Sequence, residues 1–210
     1  MPTPLPKSEL AAHAPPLSHP MPARPVVVAL MGLPGAGKST VARALVDQVG
    51  LRCVDRDAIR TALFPRCRYS FMEKRAAFRA LLLALEINCM LGDSTVIDGC
   101  TFSRRQDLLR VDQIVRKLGF LPVVIHLDCP SPIARARIEA DIAANRHPAR
   151  DRSPELVTEI MARFEPPPPG ALSIDASLPA SEVCRLAVRS VAALAGVPLG
   201  RTPPPASAAG

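Results

Sequence analysis

The run Gly32-Leu33-Pro34-Gly35-Ala36-Gly37-Lys38-Ser39-Thr40 fits the pattern G-x-x-x-x-G-K-[ST] without a gap. Its chemistry is that of a polyanion cradle. Glycines let the backbone turn sharply and approach phosphate oxygens without Cβ collisions. Successive N–H groups converge as an anion nest, and a helix starting at the end of the loop adds the positive end of its dipole. The Lys38 ammonium can reach the outer phosphates of a triphosphate, and the Ser39 hydroxyl suits a Mg²⁺ ion beside them. Two carboxylates are candidates to join such a site. Asp98 ends the apolar run Thr95-Val96-Ile97-Asp98, where it serves either a metal or the turn formed with Gly99 and Thr101. Asp57 lies in Asp55-Arg56-Asp57-Ala58-Ile59-Arg60, three residues before Arg60, so on a helical turn the two share a face. Asp57 could take a proton from a hydroxyl while Arg60 holds the molecule that bears it. Equally, Asp55 could be an N-cap, Asp57 a dipole partner and Arg60 a solvated charge.

These groups meet only if the elements around them bring them to one edge. Residues 26–31, Val-Val-Val-Ala-Leu-Met, read as a buried strand, and residues 40–49 as a helix with Val41, Leu45, Val46 and Val49 on one stripe, stopped by Gly50. Further strands are expected at 51–54, 95–98, 121–127 and 172–174. A helical turn follows Asp57 and stops at Pro65. Ser70 and Glu73 form a capping box for a helix running to Leu91. Ser103 is expected to cap the next helix. Ser131-Pro132 and Ser153-Pro154 open two more, and residues 182–195 close the chain. Strands that alternate with helices imply an α/β fold: a five-stranded parallel sheet covered on both faces, with ligands beyond the carboxyl ends of its strands. Those ends carry the glycine loop, residues 55–60, residues 98–101 and Asp128.

Composition narrows the partners. The chain has 210 residues, 48% of them hydrophobic, enough for one domain with a full core. Aromatics make up 3% and Trp is absent, which argues against stacking platforms for single-stranded nucleic acid. The net charge of +7 rests mainly on arginine, which suits either an anionic ligand or a solvated basic surface. Residues 1–24 and 197–210 read as disordered Pro- and Ala-rich ends, leaving a domain over 25–196, and Met21 is an alternative start. The six cysteines show no metal-ligand spacing; Cys53, Cys129 and Cys184 read as small core residues of a cytoplasmic protein. No apolar run has the length of a membrane span.

Together, the glycine loop, Arg56-Asp57-Ala58-Ile59-Arg60, the Val-Ile-Asp strand and the later Arg-rich segment resemble the P-loop kinases related to polynucleotide 5′-kinase. Small-metabolite kinases of the gluconate and shikimate kinase type share much of this layout. The resemblance covers about residues 26–195. It implies a three-layer P-loop kinase fold with strand order 2-3-1-4-5 and a helical lid over about 132–165. It also implies ATP and Mg²⁺, with residues 32–40 holding the nucleotide and Ser39 and Asp98 the metal. Asp57 carries over as the general base and Arg60 as the holder of the acceptor's phosphate; Arg135, Arg137, Arg146, Arg150 and Arg152 occupy the lid region, with Arg135 expected at the nucleotide and Arg146 and Arg150 as the catalytic candidates. The implied reaction moves a γ-phosphoryl group to the hydroxyl of a small molecule or nucleotide. A nucleic-acid 5′ end is the less favoured acceptor. No guanine-reading Asn-Lys-x-Asp and no transporter signature appears. The competing reading is an ATP-sensing or partner-binding module that transfers nothing.

Overall fold

The computed structural model describes residues 23–144 and 153–199. Arg146, Arg150, Arg152 and most of both Pro-rich ends lie outside the described residues. Among the described residues, five strands and seven helices alternate. They are β1 (Val26–Gly32), α1 (Lys38–Val49), β2 (Arg52–Asp55), α2 (Arg56–Leu63), α3 (Phe71–Met90) and β3 (Thr95–Asp98). Then come α4 (Arg105–Lys117), β4 (Leu121–Asp128), α5 (Ser131–Ala143), α6 (Pro154–Met161), β5 (Leu172–Asp175) and α7 (Ala180–Ala195).

The sheet is parallel throughout, in the order β2-β3-β1-β4-β5. All seven residues of β1 are buried, as a central strand covered on both faces requires. Its side chains alternate between two cores. Val26, Val28 and Leu30 join the core under α1, α5 and α7; Val27, Ala29 and Met31 join the one under α3 and α4. Parallel register sets Asp55 directly beside Asp98. Two carboxylates therefore sit at adjacent strand tips, next to the loop that follows β1.

Local chemistry explains most of the element ends. The capping box is complete: Glu73 N donates to Ser70 Oγ, and Ser70 N donates to Glu73 Oε2 at 2.8 Å. Asp55 is the N-cap of α2, accepting from Asp57 N at 2.7 Å. The expectation that Ser103 caps α4 is corrected. The residue before that helix is Arg104, which makes no side-chain cap. Arg105 N donates instead to Glu165 Oε2 at 2.7 Å, and Glu165 N donates to Ser103 O at 2.9 Å. A carboxylate 60 residues away does the capping, a partner that no local pattern reveals. Cys53 is also corrected: it is exposed on the short edge strand β2, whereas Cys129 is buried and Cys184 half-buried. Phe164 lies beyond α6, which ends at Met161.

Candidate active site

The glycine loop leads from the tip of β1 into α1. Gly37 is the N-cap of α1, with no side-chain cap, so the first amides of that helix face the concavity of the loop. Lys38 is buried, and its Nζ donates to the carbonyls of Gly32 at 3.0 Å and Leu33 at 2.7 Å. Gly35 is irreplaceable on steric grounds: a Cβ there would lie 2.3 Å from the carbonyl oxygen of Ala134 in α5. The loop is pressed against α5 and held in shape by it. Gly32 N donates to Thr101 O at 3.1 Å, which ties the loop to the segment after β3.

Ser39 Oγ donates to Asp98 Oδ1 at 3.1 Å. A hydroxyl and a carboxylate so paired, beside a phosphate-binding loop, form a donor set for a hard cation that keeps water and takes its other ligands from phosphate. That fits a second finding: among the described residues no three His, Cys, Asp or Glu side chains converge into a complete protein cage. Asp55, beside Asp98 in the sheet, is the second acid of this edge. Burial first, and then the charges of Asp98 and Asp57, raise its carboxyl above the ordinary value, while hydrogen bonds from the α2 backbone pull the other way.

Asp57 points back toward this cluster from the first turn of α2. Its Oδ1 lies 3.0 Å from Arg60 Nη2 and 3.6 Å from Arg56 Nη2. Both are ion contacts, and neither is an aligned hydrogen bond: this buried oxygen accepts none from the described residues. Arg60 is only 3% exposed. It is wedged between Asp57 and the Tyr69 ring, its Cζ 4.6 Å from the ring centroid. The solvated reading of Arg60 is therefore corrected, and the Asx cap of Asp55 and the inward face of Asp57 coexist. Two bulky residues near this corner, Tyr69 and Phe102, have positive φ, 56° and 48°. Backbone strain of this kind concentrates at functional sites.

Two recesses flank the strand tips. One, of about 600 Å³, runs from Gly35 to Arg43 past Arg137, Ala140 and Asp141 of α5 to Ala176 and Leu178 after β5. The other, of about 370 Å³, begins at Arg56 and Thr101 and opens between the starts of α3 and α4.

Comparison with known proteins agrees with this geometry. The AAA domain profile matches residues 27–167. The chain belongs to the AAA domain family. No curated protein matches it. Solved structures do. A gluconokinase from Sinorhizobium meliloti is 17% identical, with 82% of this chain and 94% of that one covered at a TM-score of 0.62. A sugar kinase from Janibacter is 19% identical, covering 80% and 94% at 0.59. The Mycobacterium tuberculosis APS kinase, solved with AMPPNP and APS, is 18% identical, covering 81% and 99% at 0.57. At such identities the likeness speaks for the fold, and that fold is the P-loop kinase fold.

Within this AAA domain chain, the described arginines of the expected lid region divide. Arg135 is exposed on α5, with Nη1 3.5 Å from Thr158 Oγ1, and does not line the loop recess. Arg137 does. It donates from Nη2 to Ala176 O at 3.0 Å, and its Nη1 lies 3.8 Å from Cys129 Sγ. The signal for it was helical spacing: positions 137, 140 and 141 share a face, whereas 135 lies on another. His126, within β4, packs near Phe164 and lies 3.3 Å from Ser173 Oγ, away from the site.

Proposed function

We propose that the chain is an ATP- and Mg²⁺-dependent kinase acting on the hydroxyl group of an acceptor. The loop geometry fits a triphosphate: Gly32 and Gly35 with no room for a Cβ, uncapped helix amides and a buried ammonium surround one concavity. Residues 32–40 would hold the phosphates, with Lys38 turning from the Gly32 and Leu33 carbonyls to the outer phosphate oxygens. Ser39 and Asp98 would hold Mg²⁺, which when bound neutralises charge between the β and γ phosphates. The nucleoside end is assigned to the recess lined by Arg137, Asp141 and Leu178.

One observation carries the reading. Asp57 keeps a buried carboxylate oxygen without an aligned donor, at the strand edge beside the loop. A buried acceptor held by ion contacts alone keeps an unused hydrogen-bonding site, and the O–H of a substrate supplies the donor. In the transfer the acceptor oxygen bonds to Pγ, the bond from Pγ to the bridging oxygen breaks, ADP leaves, and the hydroxyl proton passes to Asp57. Arg60, 3% exposed and 3.0 Å from Asp57 Oδ1, acts through Asp57 as a positioning residue.

The test is Asp57→Asn, which keeps shape and removes the base. Acceptor-dependent ADP release should fall about 10²- to 10⁴-fold, while binding of a fluorescent ATP analogue stays within about threefold. Transfer that survives the substitution would remove Asp57 from the chemistry.

A further inference from the structure

The second recess reveals the chemistry of the acceptor, an inference that rests on the kinase reading above. Among the described residues its lining includes Arg56, Lys74, Arg75, Arg104, Arg110 and Arg163, with Asp107 as the carboxylate. Like charges gathered around one concavity repel one another unless an anion enters. Two exposed helical arginines elsewhere pair with acids on their own helix, Arg116 with Asp112 and Arg185 with Glu182. Around the recess Arg110 lies 3.8 Å from Asp107 and Arg56 faces Asp57, whereas Arg75, Arg104 and Arg163 make no ion pair with the described residues. The floor differs from a solvated basic surface too. Phe102, Cys100 and Ser103 are buried, Phe78 is half-buried, and Phe71 stands at the mouth, 70% exposed. The cavity of about 370 Å³ has the size of a small-molecule pocket.

We propose that the acceptor is a small polyanion: a hydroxyl compound that already carries a phosphate or sulfate group. That tetrahedral group sits among Arg56, Arg75 and Arg104, its carbon skeleton packs on Phe78 and Phe102, and its hydroxyl reaches Asp57 past Arg56. A lone carboxylate brings one negative charge and engages one guanidinium fork; a phosphate offers three oxygens and up to two charges to several.

The experiment pairs compounds that differ only in the anion: adenosine with adenosine 5′-phosphate, ribose with ribose 5-phosphate, and gluconate with phosphogluconate. A 5′-hydroxyl oligonucleotide and 3′,5′-phosphorylated nucleotides are included. Two readouts are taken on the full chain. One is acceptor-dependent ADP release. The other is thermal stabilisation in the presence of saturating non-hydrolysable ATP analogue, so that the glycine loop is already filled. Phosphorylated members should be turned over at least about 100-fold more efficiently than their parents, and should alone raise the melting temperature. Arg75→Ala and Arg104→Ala should raise the acceptor KM about 10- to 100-fold each, the range expected for a lost charge-assisted hydrogen bond, with most of the effect in KM rather than kcat. Turnover that ignores the anion, or unchanged KM in both variants, overturns the polyanion assignment and leaves the kinase intact. An oligonucleotide preferred over every small compound overturns the small-molecule part. Stabilisation by phosphorylated compounds without turnover of any of them upholds the recess and overturns the kinase reading. Absence of both effects overturns the proposal.

Discussion

The contact that holds the start of α2 to the tip of β3 can be broken at one atom. Gly99 follows Asp98 with φ +73°, and a Cβ there would lie 2.8 Å from Asp55 Oδ1, 3.0 Å from Asp57 N and 3.1 Å from Arg56 N. Two of those three atoms are backbone at the start of α2 and cannot swing aside. Gly99→Ala therefore meets two costs. The left-handed conformation costs about 1–2 kcal/mol for a residue with a Cβ, and overpacking a fixed backbone adds about 1–3 kcal/mol. Gly92→Ala separates them. Gly92 has φ +84°, but a Cβ there would meet nothing within 4 Å, so that variant bears only the first cost. At about 2–4 °C per kcal/mol for a chain of this size, Gly92→Ala should melt roughly 2–8 °C below wild type. Gly99→Ala should melt roughly 2–12 °C lower still. Thermal unfolding followed by circular dichroism on the three proteins, in metal-free buffer, reads both differences. If Gly99→Ala melts no lower than Gly92→Ala, the close seating of the β3 tip on α2 is wrong, and with it the account of how Asp57 is aimed.

The remaining predictions follow from neighbouring contacts. Glu165→Ala removes the distant cap of α4 and should cost about 1 kcal/mol, a fall of about 2–4 °C in melting temperature, with Glu165→Gln recovering most of it; an unchanged melting temperature for the Ala variant would mean the cap contributes nothing. Asp55→Asn keeps an N-cap residue of equal quality and removes the carboxyl whose value burial and the neighbouring acids raise. A raised acid contributes most below its unfolded value near 3.8, and that contribution is lost as pH climbs through the folded value. The Asn variant should therefore be more stable than wild type at pH 7 in metal-free buffer, with the advantage vanishing near pH 4. Equal advantages at the two pH values would show that proton linkage at Asp55 is not its cause.

How much of this was legible in the chain depends on the range of each interaction. The strand–loop–helix around residues 32–40 and the Ser70–Glu73 box were readable, because each is written in neighbouring residues, whereas the sheet order came from the family resemblance and not from the residues themselves. What escaped reading depends on pairs far apart in sequence. Glu165 caps α4 across 60 residues, so the nearest hydroxyl, Ser103, looked like the cap. Arg60 sits on the expected face with Asp57, but its burial needs Tyr69, which arrives from a loop in a rare backbone conformation. Arg135 and Arg137 are indistinguishable as letters, and only the packing of Ala134 and Ile138 into the core fixes which of them turns to the glycine loop. The same reasoning explains why the proposed acceptor side was the harder half. A phosphate cradle needs backbone shape, which glycines announce. The cations of the second recess come from α2, α3 and α4 and from the segments before α4 and after α6, and their common sign becomes informative only once the fold has set them around one concavity. That division makes chemical sense: the nucleotide half recurs wherever the loop does, whereas the acceptor half must differ from one kinase to the next, and a property free to vary leaves no fixed motif behind.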